Sequence, residues 1–300
     1  MSIVISIGLI QTLLIRAKGS HSVPTPTSHL KHTSPQVNGS SPTKLRMIDS
    51  HAHLDFPEFD IDREQVFDAM RSAGIESAII PGVSPEHWDN QIAVARQFNC
   101  PYALGIHPWY CHSDSLTLFD DLKERVSRCC DDVKLVAIGE CGLDKLRKSN
   151  WQAQLIQFER QLTLAKELEL PIILHVVKAH NEMLTLLKRY ALPKGGVIHG
   201  FYGGVELANE YIRLGYKLGI GGLILNDRAL KLKNCIASIS LDSILIETDS
   251  PSMAPENSAE TRNTPLVLHS VVKEIANLQK KTSVLISEHA FLNAAQLFDL

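Results

Sequence analysis

The chain has 300 residues, of which 44% are hydrophobic and 21% are charged, and its formal net charge is -3. With 17 Gly and 14 Pro, the composition excludes collagen-like and low-complexity chains. Residues 1–46 hold five basic residues and no acidic one, so the rest of the chain carries 25 basic against 33 acidic residues, a balance of -8. This balance argues against a long basic groove for duplex nucleic acid.

Residues 1–46 differ in composition from everything that follows. The apolar run 3–15 is too short to span a bilayer, and its nearest basic residues follow it, unlike those of a secretory signal. Between Gly19 and Thr43, 14 of 25 residues are Ser, Thr or Pro, a composition that does not fold by itself. We expect residues 1–46 to be a disordered or targeting tail, or an artefact of start choice with Met47 as the functional start, and residues 47–300 to form one domain.

The six cysteines include no CxxC pair, which in a chain of this length indicates reduced thiols rather than a disulfide framework. We therefore expect a cytoplasmic protein. We also expect it to be monomeric and without a membrane partner.

From Met47 onward, short apolar or β-branched runs alternate with helical patterns. Eight runs predict strands: Arg46–His53, Ala78–Val83, Ala103–Trp109, Leu135–Glu140, Pro171–Val177, Gly196–Phe201, Tyr216–Gly222 and Ser243–Asp249. Three of the intervening patterns predict helices: one capped by Asp62 and running to Ala73, one beginning at Ser84-Pro85-Glu86, and one from Asn150 to Glu169. This alternation predicts an α/β fold, the TIM (β/α)8 barrel. A doubly wound sheet is the rival, but no GxGxxG follows the first strand.

Imidazole and carboxylate side chains terminate five of these strands. They are His51 and His53, Glu140, His175, His199 and Asp249. Such groups are costly to bury unpaired after an apolar strand, so their recurrence predicts a shared metal centre at the barrel mouth. Four His and two carboxylates suffice for two divalent ions (Mg, Mn or Zn), which can activate a water molecule. No predicted strand ends in a lysine that could serve, once carboxylated, as a bridge between the two ions. We therefore expect Glu140 to be the bridging ligand.

Eight segments resemble the TatD family of metal-dependent deoxyribonucleases, in its YjjV-type branch. They are Met47–His53, Gly105–Trp109, Ala137–Asp144, Leu170–His175, Ile198–Phe201, Gly219–Gly222, Glu247–Pro251 and Arg262–Pro265. The resemblance covers about residues 47–300 in the family's order. It implies a metal-dependent hydrolase barrel with 3′–5′ exonuclease or related phosphodiesterase activity, and it implies the same six metal ligands.

Roles follow as hypotheses. His51, His53 and Asp249 hold one ion and His175 and His199 the other, while Asp249 takes a proton from the attacking water. Asp249 and Glu140 are thus the candidate catalytic residues. His107, Lys178 and Arg262 are candidate contacts to substrate. His107 could equally be structural before Pro108, and Arg262 could instead anchor the loop after the eighth strand.

The sequence departs from the family pattern at one place that concerns substrate. The family has Arg two residues after the fifth-strand His, where this chain has Val177 followed by Lys178. Lys178 can supply a cation, but only as a point charge.

Three functions stay open at this stage. The leading one is a nuclease acting on single-stranded DNA or strand ends. The second is a metal-dependent deacylase or amidohydrolase, for example one that acts on D-aminoacyl-tRNA, since some TatD relatives are linked to that reaction. The third is a non-catalytic metal-binding barrel.

Overall fold

The computed structural model describes residues 45–112, 116–256, 258 and 261–300. The predicted tail falls almost wholly on residues 1–44, which lie outside the described residues, so that interpretation stays a prediction. In the part that is described, no helix has the length and apolar character that would let it cross a membrane.

Eight parallel strands form the framework. Their bounds are β1 Met47–Asp49, β2 Ile75–Ala78, β3 Tyr102–Leu104, β4 Leu135–Asp144, β5 Ile172–Val177, β6 Gly196–Ile198, β7 Tyr216–Ile220 and β8 Ile244–Ile246. Strands β3 to β8 pair in chain order, and β1 pairs with β2. Ile80 forms a bridge with Tyr102, and Ala52 forms one with Ser250, so the two sheets join at both edges into a closed barrel. The predicted TIM barrel is confirmed.

Helices follow the strands and cover the outside of the barrel. Their bounds are α1 Arg63–Ser72, α2 Pro85–Gln97, α3 Leu116–Arg128, α4 Trp151–Glu167, α5 His180–Tyr190, α6 Val205–Arg213, α7 Leu230–Ile236, α8 Leu268–Gln279 and α9 Ser283–Phe298. The three predicted helices correspond to α1, α2 and α4. Asp62 occupies the N-cap position of α1 as predicted, but its side chain makes no capping hydrogen bond, because its carboxylate accepts from Arg262 instead.

The barrel interior divides into an apolar lower part and a polar mouth. One apolar cluster joins side chains from the strands, among them Ile48, Ile173 and Leu245, with Ala294 and Phe298 of α9. A larger cluster fills the space between the strands and the surrounding helices. The imidazoles and carboxylates therefore lie at the carboxyl ends of the strands, above a packed apolar floor.

Several strand boundaries differ from the prediction. β4 does not end at Glu140 but continues to Asp144, because Gly142 and Asp144 pair with His175 and Val177 of β5. His175 accordingly lies within β5 rather than at its end. β1 ends at Asp49, so His51 and His53 lie in the loop just beyond it. The hydrogen bonding between β4 and β5 thus extends further toward the barrel mouth than predicted, whereas β1 ends earlier than predicted.

Candidate metal centre

Glu140 lies at the centre of the polar mouth and is 2% exposed. The preceding Gly139 has a φ of +144°, and a Cβ added there would lie 2.7 Å from the carbonyl oxygen of Ile173. Glycine is therefore required where β4 approaches β5 beside the carboxylate. Burial alone would raise the pKa of Glu140, but the imidazoles of His107 and His51 help to lower it well below its ordinary value. The carboxylate is ionised.

One oxygen of Glu140 faces a first ligand group, which we define as His51, His53 and Asp249. Glu140 Oε2 lies 3.1 Å from His51 Nε2 and 3.5 Å from His53 Nε2. Asp249 Oδ1 lies 3.6 Å from each of these two nitrogens. A zinc ion with four tetrahedral ligands at its usual bond lengths separates them by about 3.3–3.6 Å. The spacing of the first ligand group is that of donors around one cation.

Main-chain contacts fix the first ligand group. The Asp49 carboxylate accepts the backbone N–H of His51 and of Thr248, each at 3.1 Å, and so ties the end of β1 to the end of β8. The backbone N–H of Asp249 donates to the carbonyl oxygen of His51 at 2.9 Å. Asp249 has a φ of +56°, a left-handed conformation that is uncommon outside glycine and concentrates at functional sites.

The other oxygen of Glu140 faces a second ligand group, which we define as His175 and His199. Glu140 Oε1 lies 2.9 Å from His175 Nδ1 and 3.6 Å from His199 Nε2. The rings of His51 and His199 stack with their centroids 3.7 Å apart, which brings the two groups into one cluster. The six side chains predicted as ligands therefore form one cluster, in which the four imidazoles lie within 3.6 Å of the Glu140 carboxylate and Asp249 lies beside His51 and His53.

Two further carboxylates back the second ligand group. Glu247 Oε1 lies 3.2 Å from His199 Nδ1, and Asp144 Oδ2 lies 3.8 Å from His175 Nε2. Burial would lower the pKa of His199, yet Glu140 and Glu247, with Asp249, raise it to about 10. The surrounding charge favours a cation at this place, whether it is carried by a ring or by a metal ion.

His107 lies next to the second ligand group in a defined tautomer. The backbone N–H of Trp109 donates to His107 Nδ1 at 3.2 Å, so the proton of the neutral ring is on Nε2. Burial lowers the pKa of His107 to about 4, and the ring is neutral at pH 7. Its Nε2 lies 3.4 Å from Glu140 Oε1 and 3.2 Å from His175 Nδ1. His107 thus presents a donor to the cluster.

The donor set fits divalent cations. Three overlapping groups place one nitrogen or oxygen of each residue within 4.8 Å of one another: His51 with His53 and Asp249, His51 with Glu140 and His199, and His107 with Glu140 and His175. In its present tautomer, however, His107 has no free ring nitrogen for an ion. Within the described part of the chain, the fully buried Nε2 of His51 lies 3.1 Å from Glu140 Oε2 but makes no well-aligned hydrogen bond, a cost that a bound cation would remove. Imidazole nitrogens and carboxylate oxygens suit Zn²⁺, and carboxylates also suit Mn²⁺ and Mg²⁺.

The other two predicted substrate contacts lie elsewhere. Lys178 is exposed directly after β5, next to the mouth of the barrel. Arg262 donates to both carboxylate oxygens of Asp62, at 2.7 and 2.6 Å, and to the carbonyl oxygen of Glu58. This pairing connects the loop after β8 to the start of α1, and the predicted contact of Arg262 with substrate stays a prediction.

Sequence reasoning missed residues that support the cluster from outside. The Trp109 indole N–H donates to Asp144 Oδ2 at 2.8 Å, and the His175 imidazole and this indole hold the pKa of Asp144 well below its ordinary value. Buried Gln154 and Gln161 of α4 pair with the backbone N–H and C=O of Asp144 and Ile106. The sequence did offer one indication of Asp144. Side chains alternate along a strand, so Asp144, four residues after Glu140, lies on the same face if the strand continues that far.

Comparison with known proteins gives one consistent family. A family model described as TatD related DNase matches residues 48–299. The Escherichia coli K12 protein described as uncharacterized metal-dependent hydrolase YjjV is 34% identical over 257 residues, which cover 85% of this chain and 98% of YjjV. The Cronobacter sakazakii protein named 3′-5′ ssDNA/RNA exonuclease TatD is also 34% identical, over 84% of this chain and 97% of its own length.

A solved structure gives the same result in three dimensions. The crystal structure of YjjV from Escherichia coli K12, described as a TatD homolog, matches with a TM-score of 0.81 and 33% identity, covering 86% of this chain and all of that one.

Proposed function

Because this chain belongs to the TatD-related family of metal-dependent hydrolases, we propose that it is a two-metal exonuclease that removes nucleotides from the 3′ end of single-stranded DNA. The observation that carries the proposal is the position of Glu140. Its Oε2 faces the first ligand group and its Oε1 faces the second, as a carboxylate bridging two cations requires.

The residues divide between two cations. His51, His53 and Asp249 would hold one, His175 and His199 the other, and Glu140 both. Two bound cations would lower the pKa of a water molecule and offset negative charge on the phosphoryl group. The chain's own part is to fix six donors in position before substrate arrives, since their backbone and carboxylate partners are already in place.

Asp249 is the candidate proton acceptor. Its side chain is 21% exposed, whereas that of Glu140 is 3% exposed, so Asp249 lies at the edge of the cluster that substrate and water reach. A carboxylate at this edge is placed to take the proton that the attacking water loses. The charge of Asp249 therefore serves both cation binding and proton transfer.

His107 is proposed as a positioning residue rather than a metal ligand. Because its Nδ1 accepts from Trp109 and its Nε2 carries the proton, the nitrogen that faces the cluster has no lone pair to offer an ion. Its N–H instead points toward Glu140 Oε1. This contact holds the carboxylate in the orientation that divides its two oxygens between the ligand groups.

The substrate proposal rests on relatives and on charge. Relatives at about one-third identity are named 3′-5′ ssDNA/RNA exonucleases. Residues 47–300 carry eight more acidic than basic residues, which disfavours duplex DNA lying along the surface and favours a single strand entering by its end. We propose that Lys178, exposed after β5, meets the phosphate next to the scissile one.

The test is digestion of a 5′-labelled single-stranded oligonucleotide by the full-length chain with Mg²⁺, Mn²⁺ or Zn²⁺. We expect stepwise shortening of the oligonucleotide with release of 5′-mononucleotides. A chelator should stop the reaction, and a nuclease-resistant linkage at the 3′ end should block it. Glu140→Gln should lower the rate on the order of a thousandfold, because it removes the charge shared by both ligand groups. The control is Glu288→Gln, the same change at an exposed position of α9, which should leave the rate unchanged.

Two results would contradict the proposal. One is metal-loaded, folded protein that releases no nucleotide but hydrolyses acyl-tRNA, which would assign the deacylase function instead. The other is nuclease activity that persists in Glu140→Gln at the wild-type rate, which would place the chemistry outside this cluster.

A further inference from the structure

A cavity of about 150 Å³ opens directly beside the Glu140 cluster, on the side of the second ligand group. His175, His199 and Asp249 form its inner end. Whatever occupies this cavity lies next to the atoms that would hold the cations. The cavity is therefore placed to receive a part of the substrate attached close to the reacting phosphate.

Most of the remaining wall of the cavity is apolar, although Glu247 and Thr248 also line it. Val177, Phe201, Leu223, Leu232 and Met253 contribute to it. No Lys or Arg is among the residues that line the cavity in the described part of the chain. A phosphate would find no cationic partner on this wall, so the wall suits an uncharged group.

Two consecutive glycines, Gly221 and Gly222, line the cavity and add no side chain to it. A Cβ added at Gly222 would lie 3.1 Å from the carbonyl oxygen of Met253 and 3.4 Å from Pro255 Cγ. With no side chain projecting from these two positions, a planar ring can lie against the backbone. Met253, about half exposed at the opening, offers a thioether, which makes favourable contacts with aromatic rings.

The size indicates a single ring. A cavity of about 150 Å³ lined by Leu, Ile and Phe side chains holds one benzene molecule. This cavity has the same volume, and its apolar part is formed by Val, Leu, Phe and Met side chains. A six-membered heterocycle fits, whereas the larger purine has to extend through the opening.

We propose that this cavity, which we call the base pocket, binds the base of the terminal nucleotide, with pyrimidines preferred, while its phosphate lies at the Glu140 cluster. The inference rests on the proposed nuclease function and adds its substrate selectivity. Val177 is the specificity-determining residue, because it lines the base pocket two residues after His175 and gives it an apolar edge. The enzyme then recognises the end of a strand through its last base.

The test measures binding of two ligands to the full-length, Mn²⁺-loaded protein by calorimetry. Thymidine 5′-monophosphate carries the base, and 2-deoxyribose 5-phosphate is the same molecule without it. We expect the nucleotide to bind at least tenfold more tightly. Val177→Phe should fill the base pocket and reduce this ratio below about threefold, while the affinity for 2-deoxyribose 5-phosphate stays within twofold of wild type.

Two further variants make the result independent of folding. Met253→Ala changes a half-exposed residue at the opening, and it should also lower the ratio without changing the affinity for the sugar phosphate. Val133→Phe is the matched control, since it makes the same substitution at an 88% exposed position before β4, at the opposite end of the barrel. Both ligands should bind Val133→Phe as they bind wild type.

Each contrary outcome has its own meaning. Equal binding of the two ligands by wild type would overturn the base pocket but leave the nuclease proposal standing. Equal weakening of both ligands by Val177→Phe and by Met253→Ala would overturn it as well, because these residues would then act on the phosphate. Binding of neither ligand, together with failure to digest single-stranded DNA, would overturn both the base pocket and the proposed function.

Discussion

The two sides of Glu140 carry the same kinds of donor but are fixed by different parts of the chain. The first ligand group is fixed by backbone hydrogen bonds between the ends of β1 and β8, with Asp49 accepting from both. The second ligand group is backed by carboxylate side chains, Glu247 beside His199 and Asp144 beside His175. On the first side an acidic residue therefore holds the backbone at the barrel closure, whereas on the second side acidic residues face the imidazoles directly.

This difference has a chemical consequence. On the first side, the carboxyl group behind the ligands, that of Asp49, accepts from backbone N–H groups, so it positions the chain rather than an imidazole. On the second side, a residue that never meets a cation can still change how one is bound, since outer partners orient an imidazole and raise its basicity. The two sides should thus respond differently to conservative substitutions.

The largest effect after Glu140 is expected from Asp249→Asn. Removing this charge takes away a donor of the first ligand group and the proposed proton acceptor. We expect turnover to fall by about 10²–10³ and the first cation to bind more weakly. Asp227→Asn, at a position 94% exposed, is the matched control and should change neither quantity. Unchanged metal content and turnover in Asp249→Asn would remove Asp249 from the first ligand group.

An intermediate effect is expected from Glu247→Gln and from Asp144→Asn. Each keeps the shape of the side chain but removes the charge behind an imidazole of the second ligand group. We expect about 10–100-fold weaker binding of one of two Mn²⁺ ions, with the other unchanged, in a calorimetric titration. Equal weakening of both ions would show that the two sides are not separate sites.

The smallest effect is expected from Trp109→Phe. The Trp109 indole donates to Asp144, which lies beside His175, and its ring packs against His107. Phe keeps the ring contact, so the substitution chiefly removes the hydrogen bond to Asp144. We expect kcat to fall about three- to tenfold. Loss of a residue that directly contacts a metal ligand costs about tenfold or more, so this effect is smaller. Trp151→Phe at the start of α4 is the control, with unchanged kcat. A larger fall than in Asp144→Asn would mean that Trp109 itself contacts substrate.

The fold was predictable because the strands can be recognised in the sequence as short apolar runs. Seven of the eight apolar runs overlap their strands well, since residues buried on both faces of a parallel sheet leave a continuous apolar signal. The second run, Ala78–Val83, was placed too late, because β2 spans Ile75–Ala78 and shares only Ala78 with it. Their ends were less predictable. β4 extends past Glu140 because β5 offers pairing partners as far as Val177, which no local pattern reveals. Asp62 was expected to cap α1, but Arg262, 200 residues away, pairs with it instead.

Within the site, too, features set by neighbouring residues were predictable and contacts between distant segments were not. His51 and His53 could be found from one short segment, because their spacing and the neighbouring strand are local. The partnership of Asp144 with His175 required knowing that β4 continues and which strand lies beside it. The tautomer of His107 depends on a turn that brings the Trp109 N–H to Nδ1, a detail of backbone geometry. Local chemistry was predictable, and contacts across strands were not.

The most direct test of the account is the anomalous difference density of Mn²⁺ in crystals of the full-length chain. We predict two peaks, one on each side of the Glu140 carboxylate, the first among His51, His53 and Asp249 and the second at His175 and His199. A single peak, or two peaks of which only one contacts Glu140, would contradict the bridging role on which the proposed function depends.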